Sequence, residues 1–262
     1  MKILFIGDIV GNPGRRVVVE YLKEINKHST DQYDFIIANG ENAAGGKGLT
    51  FDIVDQLLAS GVSVITSGNH VWAQKEILDF IDTTPQLIRP ANYPVNVPGR
   101  GFTIVSSADD TKKLGVINLA GQIFMNRYTN PFHVLDSTLT TVKEVTPYII
   151  LDFHAEATSE KIAMGWYADG QVSGVVGTHT HVQTADERIL PKGTAYITDV
   201  GMTGPHDSVI GSKTEQVIES FLTLMPSRFG VAKDNIRLNA VQIELNEQTG
   251  LAENIERIQY QI

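Results

Sequence analysis

MKILFIGD at residues 1–8, FIIANGEN at residues 35–42 and VSVITSGNH at residues 62–70 share one arrangement. In each stretch, a short and mostly apolar run leads to a glycine that is followed at once by an acidic or amide residue. Short apolar runs of this kind are typical of strands that are buried on both faces of an α/β sheet. The three stretches therefore predict three buried strands with polar side chains at their carboxyl ends.

Amphipathic helices are predicted between these strands. Residues 15–27 carry apolar side chains at helical spacing, and residues 51–58 and 74–81 show a similar pattern. The first third of the chain is therefore predicted to fold as βαβαβα. Further segments follow: strand-like runs at 115–119, 148–153, 174–176, 188–197 and 237–261, a helical pattern at 215–224, and loops at 85–101 and 204–211. Together they predict an α/β protein in which helices flank two stacked sheets.

Composition narrows the class of protein. The chain has 262 residues, of which 42% are hydrophobic and 19% charged, and these proportions favour a single domain, 1–262, around one large core. No apolar run reaches the about 18 to 20 residues that a membrane span needs, and the apolar start is too short for a signal peptide. The absence of cysteine leaves only nitrogen and oxygen ligands for a metal, and it fits a cytoplasmic protein.

The net charge of −9 and the lack of a basic cluster argue against duplex nucleic acid as a partner. A small phosphate ester is still compatible with this charge, because bound divalent cations reverse the local potential of a cleft.

Polar residues fall at the predicted carboxyl ends of five strands, which is the edge where open α/β sheets bind ligands. These residues are Asp8, Glu41, Asn42, Asn69, His154, His179 and His181. Each has an ordinary structural interpretation, as a helix cap, a polar turn or a buried histidine. Their convergence at successive strand ends instead favours a metal site.

A mixed set of carboxylate, amide and imidazole ligands suits two divalent ions such as iron, manganese or zinc. Glu41 is the candidate that bridges both ions. His179 and His181 lie two residues apart in one loop, and they are expected to serve different ions.

At these residues the sequence resembles the calcineurin-like metallophosphoesterases. It departs from their usual blocks, since Asp8 lacks a histidine two residues later and the sequence around Glu41 replaces an aspartate block. These departures resemble the YmdB-type bacterial subfamily. Its characteristic strings are all present: GDIVG at 7–11, NGEN at 39–42, GNH at 68–70, DFHAE at 152–156 and GTHTHVQTAD at 177–186.

The resemblance implies a four-layer α/β/β/α sandwich and two ions per chain, iron or manganese before zinc or magnesium. It implies one ion on Asp8, Glu41, Asn42 and His181, and the other on Glu41, Asn69, His154 and His179. The resemblance implies that His70 faces the substrate as general acid or phosphate stabiliser. Alternatively, His70 caps a helix or forms a hydrogen bond outside the ligand set. The resemblance and the long loops also suggest a homo-oligomer.

The functional hypothesis is hydrolysis of phosphodiesters. A hydroxide between the two ions would attack phosphorus while His70 protonates the departing oxygen. The subfamily resemblance favours 2′,3′-cyclic nucleotides, with 3′,5′-cyclic nucleotides or RNA-derived diesters as other substrates. Arg89 and Tyr93 could offer a guanidinium and a ring to such a substrate, but an Arg-Pro turn is more often structural, so both stay outside the predicted site.

Three other functions stay open. A phosphomonoesterase would use the same metal site, and so would a regulatory protein that senses nucleotides without hydrolysing them. A nucleotide-binding module is suggested by the glycines at 7, 11 and 14 and at 45–48. Neither glycine run has the spacing of a known phosphate-binding motif, and such a module gives no reason for the histidines.

Overall fold

Two β-sheets form the centre of the protein. The computed structural model describes residues 1–27, 33–125 and 127–262. The strands are β1 (Lys2–Ile6), β2 (Asp8–Ile9), β3 (Phe35–Asn39), β4 (Val64–Thr66), β5 (Phe102–Ser106), β6 (Lys113–Ala120), β7 (Ile149–His154), β8 (Gly174–Thr178), β9 (Arg188–Ile189), β10 (Ala195–Ile197), β11 (Met202–Pro205), β12 (Ile236–Leu245) and β13 (Ala252–Gln261). The α-helices are α1 (Gly11–Lys27), α2 (Phe51–Ala59), α3 (Pro131–Lys143), α4 (Thr158–Ala168) and α5 (Thr214–Thr223).

Parallel strands carry the predicted site residues in both sheets. The first sheet has the order β2-β11-β12-β1-β3-β4, with β13 also paired to β12, and the second has the order β5-β6-β7-β8-β10-β9. In the first sheet β1, β3 and β4 run parallel to one another. In the second sheet β6, β7, β8 and β10 do the same. Parallel strands deliver their following loops to one edge, so each sheet gathers its polar strand ends there.

Three hydrophobic clusters lie between the four layers of the protein. Strand β1 contributes to two of these clusters, because its successive side chains point to opposite faces of the sheet. Leu4 packs with residues of α1 and α2 on the outer face of the first sheet. Phe5, one residue later, packs between the sheets with residues of β6, β7 and β8. A third cluster joins the second sheet to α3 and α4. Helices therefore cover the outer face of each sheet, which gives the predicted α/β/β/α sandwich.

Some boundaries differ from the sequence prediction. The segment expected to be helical at 74–81 is a short 3-10 helix, Lys75–Asp79, a form that proteins use for brief connections. Gly204 and Pro205, expected in a loop, lie in β11 and pair with β12. The sequence prediction named neither α3 nor α4, although α3 buries Leu135, Leu139 and Val142 at helical spacing. Among the described residues, no helix is long and apolar enough to cross a membrane.

Candidate metal centre

The predicted ligand residues meet where the carboxyl ends of the two sheets come together. Asp8, Glu41, Asn42 and His154 are buried, whereas Asn69, His179 and His181 are partly exposed. The first sheet supplies the carboxylate and amide residues, and the second sheet supplies the histidines. The structure thus brings all seven residues to one cleft, although whether they bind metal stays a prediction.

One group of ligand atoms surrounds Nε2 of His154. This nitrogen lies 3.0 Å from Oδ1 of Asn69, 3.0 Å from Nδ1 of His179 and 3.2 Å from Oε1 of Glu41. Among the described residues, Glu41, His154 and His179 form a cluster whose ligand atoms all lie within 4.8 Å of one another. Two ligands at about 2.1 Å from an ion and at right angles to each other are about 3.0 Å apart, so these spacings suit one ion.

A second group contains Asp8, Asn42 and His181. Nδ2 of Asn42 is 2.9 Å from Nε2 of His181, whereas its Oδ1, the atom able to bind a metal, is 2.9 Å from Nδ1 of His70. Asp8 accepts a hydrogen bond of 3.2 Å from the backbone N–H of His179 through Oδ2. Its Oδ1 is buried and has no hydrogen-bond partner among the described residues. An unpaired buried carboxylate oxygen is costly, and a cation beside it would remove that cost.

The three histidines are each held by an outer partner on the nitrogen that faces away from the cleft. These partners are Thr178 Oγ1, 2.9 Å from Nδ1 of His154; Glu156 Oε2, 2.9 Å from Nε2 of His179; and the carbonyl oxygen of Ile210, 2.8 Å from Nδ1 of His181. Such outer contacts fix the orientation of a metal-binding imidazole and leave its other nitrogen directed inward. His179 and His181 face different groups, because both residues have a left-handed rather than an extended backbone.

A buried ion pair supports the loop that carries His179 and His181. Both residues have a left-handed backbone, with φ of 103° and 66°. Between them, Thr180 donates to Oδ2 of Asp199 through its backbone N–H (3.0 Å) and its hydroxyl (2.8 Å). The same oxygen lies 2.6 Å from Nζ of Lys161, and both charged side chains are buried. Non-glycine residues adopt this backbone only where their surroundings hold it, and Asp199 provides that support.

Replacing Lys161 with methionine is expected to lower the free energy of unfolding by about 3 to 5 kcal/mol, because Asp199 would be left buried without its charged partner. Urea denaturation of the apoprotein measures the loss. Lys143→Met, which changes an exposed helical lysine, is the matched control and should cost less than about 0.5 kcal/mol. Equal stability of the two variants would contradict a supporting role for the pair.

The electrostatics of the cleft favour bound positive charge. Burial alone would lower the pKa of His154, but the charge and hydrogen bond of Glu41, with the charge of Asp8, raise it to about 9. Burial opposes ionisation of Glu41, yet the charges and hydrogen bonds of His154 and His70 hold its pKa well below the usual value. Burial and the charge of His154 lower the pKa of His179 to about 3, so this imidazole is neutral and able to act as a ligand.

Gly68 allows the two sheets to approach at the centre of the site. A Cβ atom at this position would collide with the ring of His154 and with the carboxylate of Glu41. The glycine that precedes Asn69 is therefore required by this close approach and does not only form a turn.

His70 stands at the open side of the cleft. Its backbone N–H donates to Oε2 of Glu41 at 3.0 Å, and its Nδ1 lies 2.9 Å from Oδ1 of Asn42. These two contacts fix the ring against the ligand residues. The side chain is 29% exposed, so solvent and small molecules can reach it.

The structure also shows supporting residues that the sequence reasoning missed. Glu156 and Thr178 belong to the characteristic strings, but they were not among the predicted site residues. Their position in the sequence could have indicated them, because each lies within two residues of a predicted ligand.

Arg89 does not face a substrate. It donates to the backbone carbonyls of Val97, Pro98 and Pro90. Its guanidinium therefore has a structural role.

Comparison with known proteins places this site in a family. The family model described as YmdB-like protein matches residues 4–258. The chain belongs to the YmdB-like family. A 2′,3′-cyclic-nucleotide 2′-phosphodiesterase of Bacillus subtilis (strain 168) is 54% identical to this YmdB-like chain over 258 residues, covering 98% of the chain and 96% of the relative.

Solved structures agree with this assignment. A crystal structure described as a novel phosphatase from Mycoplasma pneumoniae has a TM-score of 0.91 and 38% identity, covering 100% of the YmdB-like chain and 93% of its own. A 5′-nucleotidase from Candida albicans SC5314, at 12% identity and a TM-score of 0.60, shares the fold over 99% of this chain and 51% of its own. The predicted α/β/β/α fold is thereby confirmed, and the similar proteins named here are phosphoric ester hydrolases.

Proposed function

We propose that this YmdB-like protein is a phosphodiesterase with two divalent metal ions. Asn69, His154 and His179 would hold one ion, and Asp8, Asn42 and His181 the other, with Glu41 shared between them. The observation that carries the proposal is the set of three imidazoles, each fixed by an outer partner and presenting its free nitrogen to the cleft. The buried Oδ1 of Asp8 supports it independently, because among the described residues it accepts no hydrogen bond and has only Nδ1 of His154 nearby as an ionic partner, at 3.9 Å.

When bound, such ions would lower the pKa of water and neutralise charge on the phosphoryl oxygens. His70 would act on the leaving group. With its Nδ1 held by Asn42, the ring can turn only Nε2 toward a substrate. A proton on that nitrogen would pass to the oxygen that departs from phosphorus, which is the role of a general acid.

We propose 2′,3′-cyclic nucleotides as the substrates, as the name of the Bacillus subtilis relative indicates for that protein. The oxygen of a hydroxide, formed when water loses a proton to solvent, would form a bond to phosphorus while the bond from phosphorus to the ribose 2′ oxygen breaks. That oxygen would take the proton of His70, and the product would be a nucleoside 3′-monophosphate. We propose iron or manganese as the native ions, and a homo-oligomer as the assembly.

The proposal predicts diester hydrolysis that requires metal. Protein reconstituted with Mn²⁺ or Fe²⁺ should hydrolyse 2′,3′-cyclic AMP faster than a phosphomonoester, and it should bind about two ions per chain. Chelation should abolish turnover, and added Mn²⁺ should restore it. A preference for the monoester would point to a phosphatase. Reconstituted protein that binds cyclic nucleotide without turning it over would instead indicate a nucleotide sensor.

A further inference from the structure

A short loop continues from β6 beside the candidate metal centre. Ala120, the last residue of β6, pairs with His154, and the backbone N–H of Gly121 donates to the carbonyl oxygen of His154 at 3.0 Å. The residues that follow, 122–125, therefore begin directly next to a predicted ligand. They lie at the same sheet edge as the cleft.

This loop is firmly anchored but displays apolar side chains to solvent. The buried carboxylate of Glu160 accepts from the backbone N–H groups of Gln122 at 2.8 Å and Ile123 at 3.2 Å. Phe124 nevertheless is 88% exposed and has a left-handed backbone, with φ of 62°. The ring of Phe124 is too exposed to contribute to core packing, although its backbone is strained and the loop is held by Glu160. Such features concentrate where a protein meets a ligand.

Other aromatic rings connect this loop to His70. Trp72 follows His70 by two residues, and its ring contacts that of Tyr93 edge-on, with centroids 5.8 Å apart. Tyr93 contacts Tyr128 in the same way at 4.9 Å, and their hydroxyls are 3.2 Å apart. The carbonyl oxygen of Tyr128 accepts from the side chain of Gln122 at 2.7 Å. We call these three rings, together with Phe124 two residues after Gln122, the aromatic strip.

The chemistry of the leaving group indicates which part of a substrate would meet this strip. In a 2′,3′-cyclic nucleotide, the oxygen that departs from phosphorus belongs to the ribose. If His70 protonates that oxygen, the ribose and its base must lie on the His70 side of the cleft. The aromatic strip begins on that side.

We infer that the aromatic strip is the nucleobase subsite of this enzyme, with Phe124 and Trp72 stacking on the base and Tyr93 and Tyr128 supporting them. This inference rests on the proposed function. Every base has a flat π-face, so stacking binds purines and pyrimidines with little discrimination. The enzyme should therefore accept several bases and disfavour diesters that have none.

Substitution of Phe124 tests the subsite. We expect Phe124→Ala to reduce the ratio of kcat/KM for 2′,3′-cyclic AMP to kcat/KM for ribose 2,3-cyclic phosphate by about 5- to 100-fold, mainly through KM. Phe124→Trp, which keeps a stacking ring, should retain the ratio. Phe221→Ala is the matched control, because Phe221 is also an exposed aromatic residue (76%) but lies on α5, and it should leave both rates unchanged.

The outcomes separate this inference from the proposed function. If wild-type protein hydrolyses both cyclic diesters and Phe124→Ala leaves their ratio unchanged, the subsite is wrong while the phosphodiesterase proposal stands. Equal losses on both substrates would also overturn the subsite, because they would show a general effect on the cleft. If the wild type hydrolyses neither substrate after reconstitution, the proposed function itself fails.

Discussion

Replacing Glu41 with glutamine is expected to leave a folded protein that binds fewer than two metal ions and has lost more than about 1000-fold in turnover of 2′,3′-cyclic AMP. Glu41 is 1% exposed, and its Oε1 lies 3.2 Å from Nε2 of His154. Glutamine has nearly the same shape but lacks the negative charge and one ligand oxygen. Metal ions lower the activation free energy of phosphoryl transfer by several kcal/mol, and losing that contribution corresponds to this loss of rate.

Metal content by elemental analysis, a Mn²⁺ titration and the rate of hydrolysis together measure this effect. Glu156→Gln is the matched control, because Glu156 contacts only the outer nitrogen of His179 in the ligand set. Loss of such an outer partner costs about 10- to 100-fold in metal affinity or activity, less than loss of a shared ligand. A Glu41→Gln variant that keeps two tightly bound ions would contradict the shared position of this carboxylate.

Replacing His70 with alanine is expected to lower kcat for 2′,3′-cyclic AMP by about 10²- to 10⁴-fold, the usual contribution of a general acid. Metal content should stay at the wild-type value, because His70 contacts ligand residues without belonging to the proposed ligand set. His133→Ala is the matched control, since His133 is exposed on α3, and it should keep the full rate.

The choice of leaving group distinguishes an acid from a phosphate-binding residue. A p-nitrophenyl diester has a leaving oxygen that departs without protonation, so His70→Ala should slow its hydrolysis much less than that of the cyclic nucleotide. Equal losses on the two substrates would assign His70 to stabilising the phosphoryl oxygens. Loss of both ions from the variant would instead give His70 a purely structural role.

The predicted ligands could be found in the sequence because strand patterns and polar residues are local features. Asp8, Glu41 and Asn69 each come directly after a glycine that follows a short apolar run, and parallel strands bring such positions to one edge. The 3-10 helix at Lys75–Asp79 shows the limit of this reasoning. Helical spacing of apolar residues does not distinguish a short 3-10 turn from an α-helix, because both place a few side chains on one face.

The supporting contacts depend on residues that are far apart in the chain. Lys161 meets Asp199 across 38 residues, and the hydroxyl of Thr178 reaches Asp152 across 26. Packing of α4 and the second sheet creates these neighbours, so no local pattern predicts them.

The sequence by itself determined the strands β1, β3 and β4 with the helices α1 and α2 between them, the membership of the family and the residues offered to the cleft, because these follow from short-range periodicity and from characteristic strings. Only the tertiary structure decided which nitrogen of each histidine faces inward, since an outer partner such as Glu156 or Ile210 fixes that choice. It also decided that Arg89 is committed to backbone carbonyls and that Phe124, four residues after the end of β6, remains exposed. Orientation and exposure arise from packing between distant segments, and this information is not carried by any one stretch of the chain.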